Sequence, residues 1–154
     1  MKKTAAVLVL FIFVLSSCNS KKIYEKYLDN DRITWNRFDV KTFEVPIMDI
    51  SPGYDFYIAI RHHTEVPLKD LEVNFILYTP SGEERIMKHE IPLRDREGKL
   101  LGDGMGDLWD IKYPAWTGFK FSEPGTCKVE ISSSMSQVDL PGIMQVGLIV
   151  EKTN

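Results

Sequence analysis

Apolar residues recur at every second position along most of this chain, and that spacing limits what it can fold into. In "YDFYIAIRH" Tyr54, Phe56, Ile58 and Ile60 fall on one face, and in "LEVNFILYT" Leu71, Val73, Phe75 and Leu77 do the same. Successive side chains of a strand point to opposite sides, so a period of two marks a strand with one buried face. "ERIMKHEIPL", "CKVEISSSM" and "IMQVGLIVE" read in the same way, and turn signals separate the runs: "SPG" at Ser51, "TPSG" at Thr79, "DREG" at Asp95, "EPG" at Glu123 and "LPG" at Leu140. Helical three-and-four spacing is not sustained anywhere in the mature chain, although "IYEKYLDNDRITW" has room for a brief helical turn. The expectation is an all-β fold: a single antiparallel β-sandwich, jelly-roll-like, with minor helical turns and with Trp35, Trp109 and Trp116 available to its core. A parallel α/β architecture would need alternating helices that this pattern does not supply.

The first residues bear on location rather than fold. Lys2 and Lys3 precede an apolar run, Ala5 to Leu15, which ends in "LSSC" at Cys18. A basic start, a short apolar stretch and small residues make a secretory signal, and the run is shorter than the roughly 20 residues that cross a bilayer. A Leu and two small residues before Cys form a lipobox, so Cys18 is expected to be acylated. The chain then divides into a lipoprotein signal peptide (1–17), a lipidated tether (18–30) and a β-sandwich domain (31–154). Each buried methylene of an acyl chain contributes roughly 0.8 kcal/mol, so more than one chain gives a lasting anchor. Asn19, Ser20, Lys21 and Lys22 follow the cysteine without the acidic run that marks surface-exported lipoproteins, which points to a periplasmic-facing domain. Removing the signal takes two lysines away and leaves 17 basic against 22 acidic residues, a net charge of −5. Such a balance argues against nucleic acid, whose recognition needs a basic stripe.

With Cys18 acylated, Cys127 is left without a disulfide partner despite an oxidising compartment, and its place in "GTCKVEI" fits a small buried hydrophobe. The segment "GDGMGDLWD", Gly102 to Asp110, holds the densest set of special residues. Its glycines do not follow G-x-G-x-x-G, and "DLWDIKYPAW" after them is not a helix on which a pyrophosphate could sit. Asp103, Asp107 and Asp110 are hard oxygen donors of the type calcium takes, but an EF-hand order would require an oxygen ligand where Met105 stands. The physical reading is a compact bend: Gly102, Gly104 and Gly106 permit positive φ, Asp103 or Asp107 accepts backbone hydrogen bonds, and Trp109 fills the core, with Asp110 part of the same structural loop. Met105, a flexible apolar side chain between two glycines, then has no core role, which makes Asp103, Met105 and Asp107 the candidate partner-binding residues.

Catalytic and metal constellations are weak. His62 and His63 are adjacent on a strand and so point to opposite faces. His89 stands alone in sequence, "SSSM" from Ser132 reads as a strand end, and no G-x-S-x-G elbow occurs. The sequence therefore implies no catalytic residue, no metal site and no cofactor.

Taken with the lipobox, "YEKY" at Tyr24, "WNRFDV" around Trp35, "GKLLGDGMGDLWD", "FSEPGTCKVEI" and "LPGIMQVGLIVEK" make the chain resemble the gliding-motility lipoprotein GldH family. The likeness runs through essentially the whole mature chain, and the Gly-Asp-Gly-Met-Gly-Asp-Leu-Trp-Asp block is its most specific part. One departure is Ser136, where an arginine commonly follows the methionine. The resemblance implies a membrane-anchored, non-enzymatic component associated with the gliding machinery and the type IX secretion apparatus of Bacteroidota. It carries no catalytic residues with it.

Two other classes of function compete with docking onto envelope proteins. A jelly-roll carbohydrate-binding module would stack sugars on exposed aromatics such as Tyr57, Tyr78 or Trp116, and a hydrolase would need a His and a carboxylate meeting in a cleft. The lipobox itself generates a test. The Cys18→Ala chain should leave the membrane fraction and stop labelling with palmitate analogues; continued labelling would place the anchor elsewhere.

Overall fold

The structure is a computed structural model describing residues 21–153. The signal peptide and Cys18 lie outside the described residues. Eleven strands account for nearly all regular structure: β1 (Lys22–Asp29), β2 (Thr34–Asn36), β3 (Lys41–Ile47), β4 (Tyr54–His63), β5 (Asp70–Tyr78), β6 (Glu84–Pro92), β7 (Asp103–Met105), β8 (Leu108–Phe119), β9 (Gly125–Ser133), β10 (Asp139–Pro141) and β11 (Ile143–Lys152). One 3-10 turn, Asp31–Ile33, follows β1.

The strands form one sheet in the order β1-β11-β4-β8-β7, a second in the order β3-β9-β5-β6, and a small β10-β2 ribbon, all paired antiparallel. With β7 and the ribbon set aside, the two four-stranded orders are those of a jelly roll, in which the chain passes between facing sheets at every connection except the β5–β6 hairpin. The expected all-β sandwich is therefore the fold observed. Part of the stretch expected to be tether belongs to it: Tyr24 to Asp29 pair with Val150 to Gln145, so the first sheet takes up residues before position 31.

The alternation read from sequence becomes two inner faces. Phe56, Ile58 and Ile60 of β4 with Val146, Leu148 and Val150 of β11 meet Phe43, Val45 and Ile47 of β3, Phe75 and Leu77 of β5 and Val129 and Ile131 of β9, all essentially without solvent contact. Phe56 contacts Phe75 of the opposite sheet edge-to-face with ring centroids 6.1 Å apart, and Phe119 and Phe121 pack on its other sides at 6.3 Å. Offset and edge-on aromatic pairs of this kind add about 0.5–1.5 kcal/mol each beyond the area they bury.

The sandwich has two unlike ends. At one, the loops 48–53, 79–83 and 120–124 are short, and β1 begins beside the last residues of β11. At the other lie the 3-10 turn, the β10-β2 ribbon, the loop 64–69, the long connection 93–102 and the β7–β8 turn. Trp35 is wholly buried there and its indole N–H donates to the Asp39 carbonyl at 2.9 Å. Lys41, 5% exposed, crosses between the sheets and donates to the Asp29 carbonyl at 2.9 Å and to the Asp39 carboxylate at 2.7 Å. A buried ammonium without such partners would cost several kcal/mol.

His62 and His89 are both turned inward, and the Nε2 of each is buried with no hydrogen-bond partner among the described residues. Burial lowers the pKa of both below the ordinary value of 6.5, so the fold holds them neutral. The unfolded chain takes up these protons first. Stability is therefore undiminished above the unfolded value and falls as pH drops through it toward the lowered folded values. Urea midpoints should decrease between about pH 7 and about pH 5.5, and His62→Met should make that decrease shallower; an equal slope in the variant would remove His62 from the account.

Candidate functional site

The glycine-rich segment is a β-hairpin. β7 pairs with the start of β8 through Asp103↔Asp110, Gly104↔Trp109 and Met105↔Leu108, leaving Gly106 and Asp107 as the turn. Gly106 takes φ +63°, as the first residue of a two-residue hairpin turn must when it is glycine. Gly102, at φ +97°, is also required on space, because a Cβ there would lie 2.3 Å from the Asp110 carbonyl oxygen. Gly104 has a different reason from the one the sequence suggested. Its φ is not positive; instead the Trp109 indole lies flat across it, and a Cβ would fall 2.8 Å from the ring.

Trp109 is partly buried and packs on the core from the edge of the sheet, with its indole N–H donating to the Thr64 hydroxyl at 3.2 Å. The Thr64 amide in turn donates to the Asp107 carbonyl at 2.8 Å. The turn is thus held by its backbone and by Trp109. The expected acceptor role for the Asp103 or Asp107 carboxylate is not what holds it: among the described residues neither carboxylate makes a hydrogen bond, whereas in the preceding loop the Asp95 carboxylate accepts from the Glu97 and Lys99 amides at 2.9 Å each.

Asp103 and Met105 alternate with Gly104 and so share the outer face of the first sheet, while Asp107 sits at the tip. Met105 is 81% exposed. The third aspartate is engaged elsewhere: Arg61 donates Nε and Nη2 to the two oxygens of Asp110 at 2.7 and 2.9 Å, and Nη1 to Gln145 at 3.1 Å, and Gln145 donates to Asp29 at 2.6 Å. Registers place Asp29, Gln145, Arg61, Asp110 and Asp103 in one row across five strands. Asp110 is satisfied by Arg61 and is no free ligand. Among the described residues Asp103, directly opposite it, has no cation of its own, an arrangement of like charges that is mildly unfavourable and leaves this edge acidic. Among the described residues no three His, Cys, Asp or Glu side chains converge as a metal site.

The remaining chemical candidates are dispersed. His62 is wholly buried with Nδ1 3.0 Å from the His63 carbonyl, whereas His63 on the other face accepts from the Glu65 amide at 3.2 Å. His89 is wedged between Phe75 and Tyr113, with centroids 6.2 and 5.6 Å away. Cys127 is buried, and burial pushes its thiol up to about 12, the opposite of an activated nucleophile. Of the aromatics that could stack on sugars, Tyr57 has Lys112 Nζ 4.0 Å from its ring centroid and Tyr78 has Lys128 Nζ at 4.1 Å, while Trp116 packs edge-on against Phe119 at 5.3 Å.

What sequence reasoning missed is a set of exposed apolar residues around the hairpin's end of the sandwich. Of the eight large hydrophobics that stand exposed among the described residues, Ile33, Phe38, Val40 and Val138 join the expected Met105 at this end. Ile33 and Arg32 also take positive φ, +56° and +50°, which is costly for a β-branched side chain. Phe38 and Val40 flank Asp39 with the same period of two as core strands, so no local signal distinguishes them. Trp109→Ala should lower stability by about 2 kcal/mol, less than full removal of a buried Trp, because the side chain is only partly buried; loss of about 4 kcal/mol in urea unfolding would mean that the ring is a core element after all.

The GldH lipoprotein family profile matches residues 22–150. "Gliding motility lipoprotein GldH" of Flavobacterium johnsoniae is 26% identical over 97% of this chain and 97% of its own length. "Gliding motility lipoprotein GldH homolog" of Christiangramia forsetii is 28% identical over 99% of both chains. Among solved structures, a chain of the infectious bursal disease virus Gx strain aligns with 88% of this chain and 30% of its own, at 11% identity and a TM-score of 0.34. Among the described residues no helix is long and apolar enough to cross a membrane. The family match runs from the first residue of β1 to within two residues of the end of β11, and this chain belongs to the GldH lipoprotein family.

Proposed function

We propose that the chain is a lipid-anchored, non-enzymatic accessory protein of the gliding motility and type IX secretion machinery, periplasmic-facing and acting by protein docking. Acylated Cys18 is the membrane attachment, and the β7–β8 hairpin with Asp103, Met105 and Asp107 is the contact with another envelope protein. The observation that carries this reading is the gathering of exposed apolar side chains at the hairpin's end of a rigid sandwich, with Met105 the most exposed of them. Binding residues concentrate where loops are held by a stiff scaffold, and Thr64 fixes this turn from behind.

The chemistry of the partner follows from the row of charges. Asp103 faces Asp110 with only Arg61 to offset the pair, so a partner with a basic patch is favoured and the association weakens with salt. Desolvated hot spots are few and central, and an exposed Met flanked by carboxylates has that form. The relatives' names attach them to gliding motility, and full-length similarity supports the same assignment here.

Met105→Lys tests the docking face, since the side chain makes no core contact. The variant should keep the wild-type circular dichroism and melting temperature while losing co-purification with envelope partners. Undiminished co-purification would leave the hairpin with a structural role alone.

A further inference from the structure

We infer that the loop Met48–Ile50 lies in the lipid surface, so that the sandwich stands end-on and points the β7–β8 hairpin away from the membrane. This rests on the anchoring at Cys18 proposed above. β1 begins at Lys22, and its first residues pair with the last residues of β11, Lys22 opposite Glu151. From Cys18 to Lys22 even a fully extended chain reaches only about 14 Å. The end of the sandwich where β1 starts is therefore held within that distance of the lipid.

That end carries its own apolar tip. Met48 is 86% exposed, the most of any large hydrophobic among the described residues, and Ile50 is 41% exposed. Asp49 between them is turned back on the protein: its carboxylate accepts the Ser51 amide at 2.9 Å and the Ser51 hydroxyl at 2.7 Å, and Lys152 Nζ is 3.5 Å away. Tyr54 holds the loop from below by donating to the Asp49 carbonyl. The Asp49 side chain stays 47% exposed, but the Ser51 donors and Lys152 offset its charge, and the apolar side chains of the tip are Met48 and Ile50.

Lysines flank the tip. Lys152 reaches the loop through Asp49, its amide donates to the Lys21 carbonyl at 2.7 Å and so holds Lys21 next to it, and Lys120 lines the same shallow groove as Ser51, Pro52 and Gly53. Long cationic side chains around an apolar tip suit the headgroup layer, where their stems lie along acyl chains and their ammonium groups stay wet.

The geometry also separates two surfaces by function. β8 runs from Leu108 beside the hairpin to Phe119 near the tip, and a strand of this length spans roughly 35 Å. One end of the sandwich meets lipid while the other stands clear of it, where a partner in the periplasm can reach Met105.

The test uses the full acylated chain reconstituted into phosphatidylethanolamine vesicles whose acyl chains are brominated. Met48→Cys and Met105→Cys each carry an environment-sensitive fluorophore. The native Cys127, buried and with its thiol pushed up to about 12, does not compete for label. The expected result is co-flotation of both chains with the vesicles, strong quenching at position 48 and little at position 105. Flotation with no quenching at 48, or equal quenching at both positions, overturns the end-on orientation and leaves the anchor in place. A shielded but unquenched label at 48 would identify a second protein copy as the occupant and overturn it too. A chain that does not float defeats both the anchor and the orientation.

Discussion

The edge-to-face contact between Phe56 and Phe75 joins the two sheets at the middle of the molecule, and much else depends on it. Phe56 reaches this position because β4 is central in its sheet, paired on one side to β11 and on the other to β8. Phe119 and Phe121 then close on it from the β8–β9 connection, and Tyr54 follows through Phe121 at 5.5 Å. Tyr54 is also the residue that pins the 48–53 loop. The same aromatic cluster that joins the sheets thus sets the position of the exposed tip.

The other end is built on polar contacts. Lys41 links the end of β1 to the Asp39 turn, Asn30 donates to the Ile143 carbonyl at 3.0 Å, and Arg94 donates to the Val66 carbonyl at 2.9 Å. These bonds satisfy backbone groups that irregular segments would otherwise bury unpaired. They make the long loops into a platform, and the apolar residues that the platform does not cover remain on its surface. Rigid support for exposed side chains lowers the entropy cost of binding a partner, because less has to be ordered on contact.

The glycine-rich hairpin shows how one residue type serves three physical needs within a short span. Gly106 makes the turn, Gly102 lets β7 approach the β8 backbone, and Gly104 makes room for an indole ring. Only the first two are matters of backbone conformation. The third depends on which residue stands opposite, and pairing across a hairpin is fixed by the turn.

Local sequence determined the inner faces of β4, β5, β9 and β11, because a half-buried strand must alternate and turn residues mark where it stops. It also singled out the glycine-rich segment, read as a compact bend, and the exposure of Met105, since a flexible apolar residue between glycines has nowhere in a core to go. β1 was not legible. Lys26 interrupts its inner face between Tyr24 and Leu28, which an edge strand tolerates because one side of it is open to solvent. Tertiary structure alone decided that Arg61 would take Asp110 out of the acidic loop, that Phe38 and Val138 would stay uncovered, and that Met48 and the hairpin would stand at opposite ends. Those outcomes depend on strand register and on which sheet covers which residue. Both are set by contacts between segments far apart in the chain, and no local pattern encodes them.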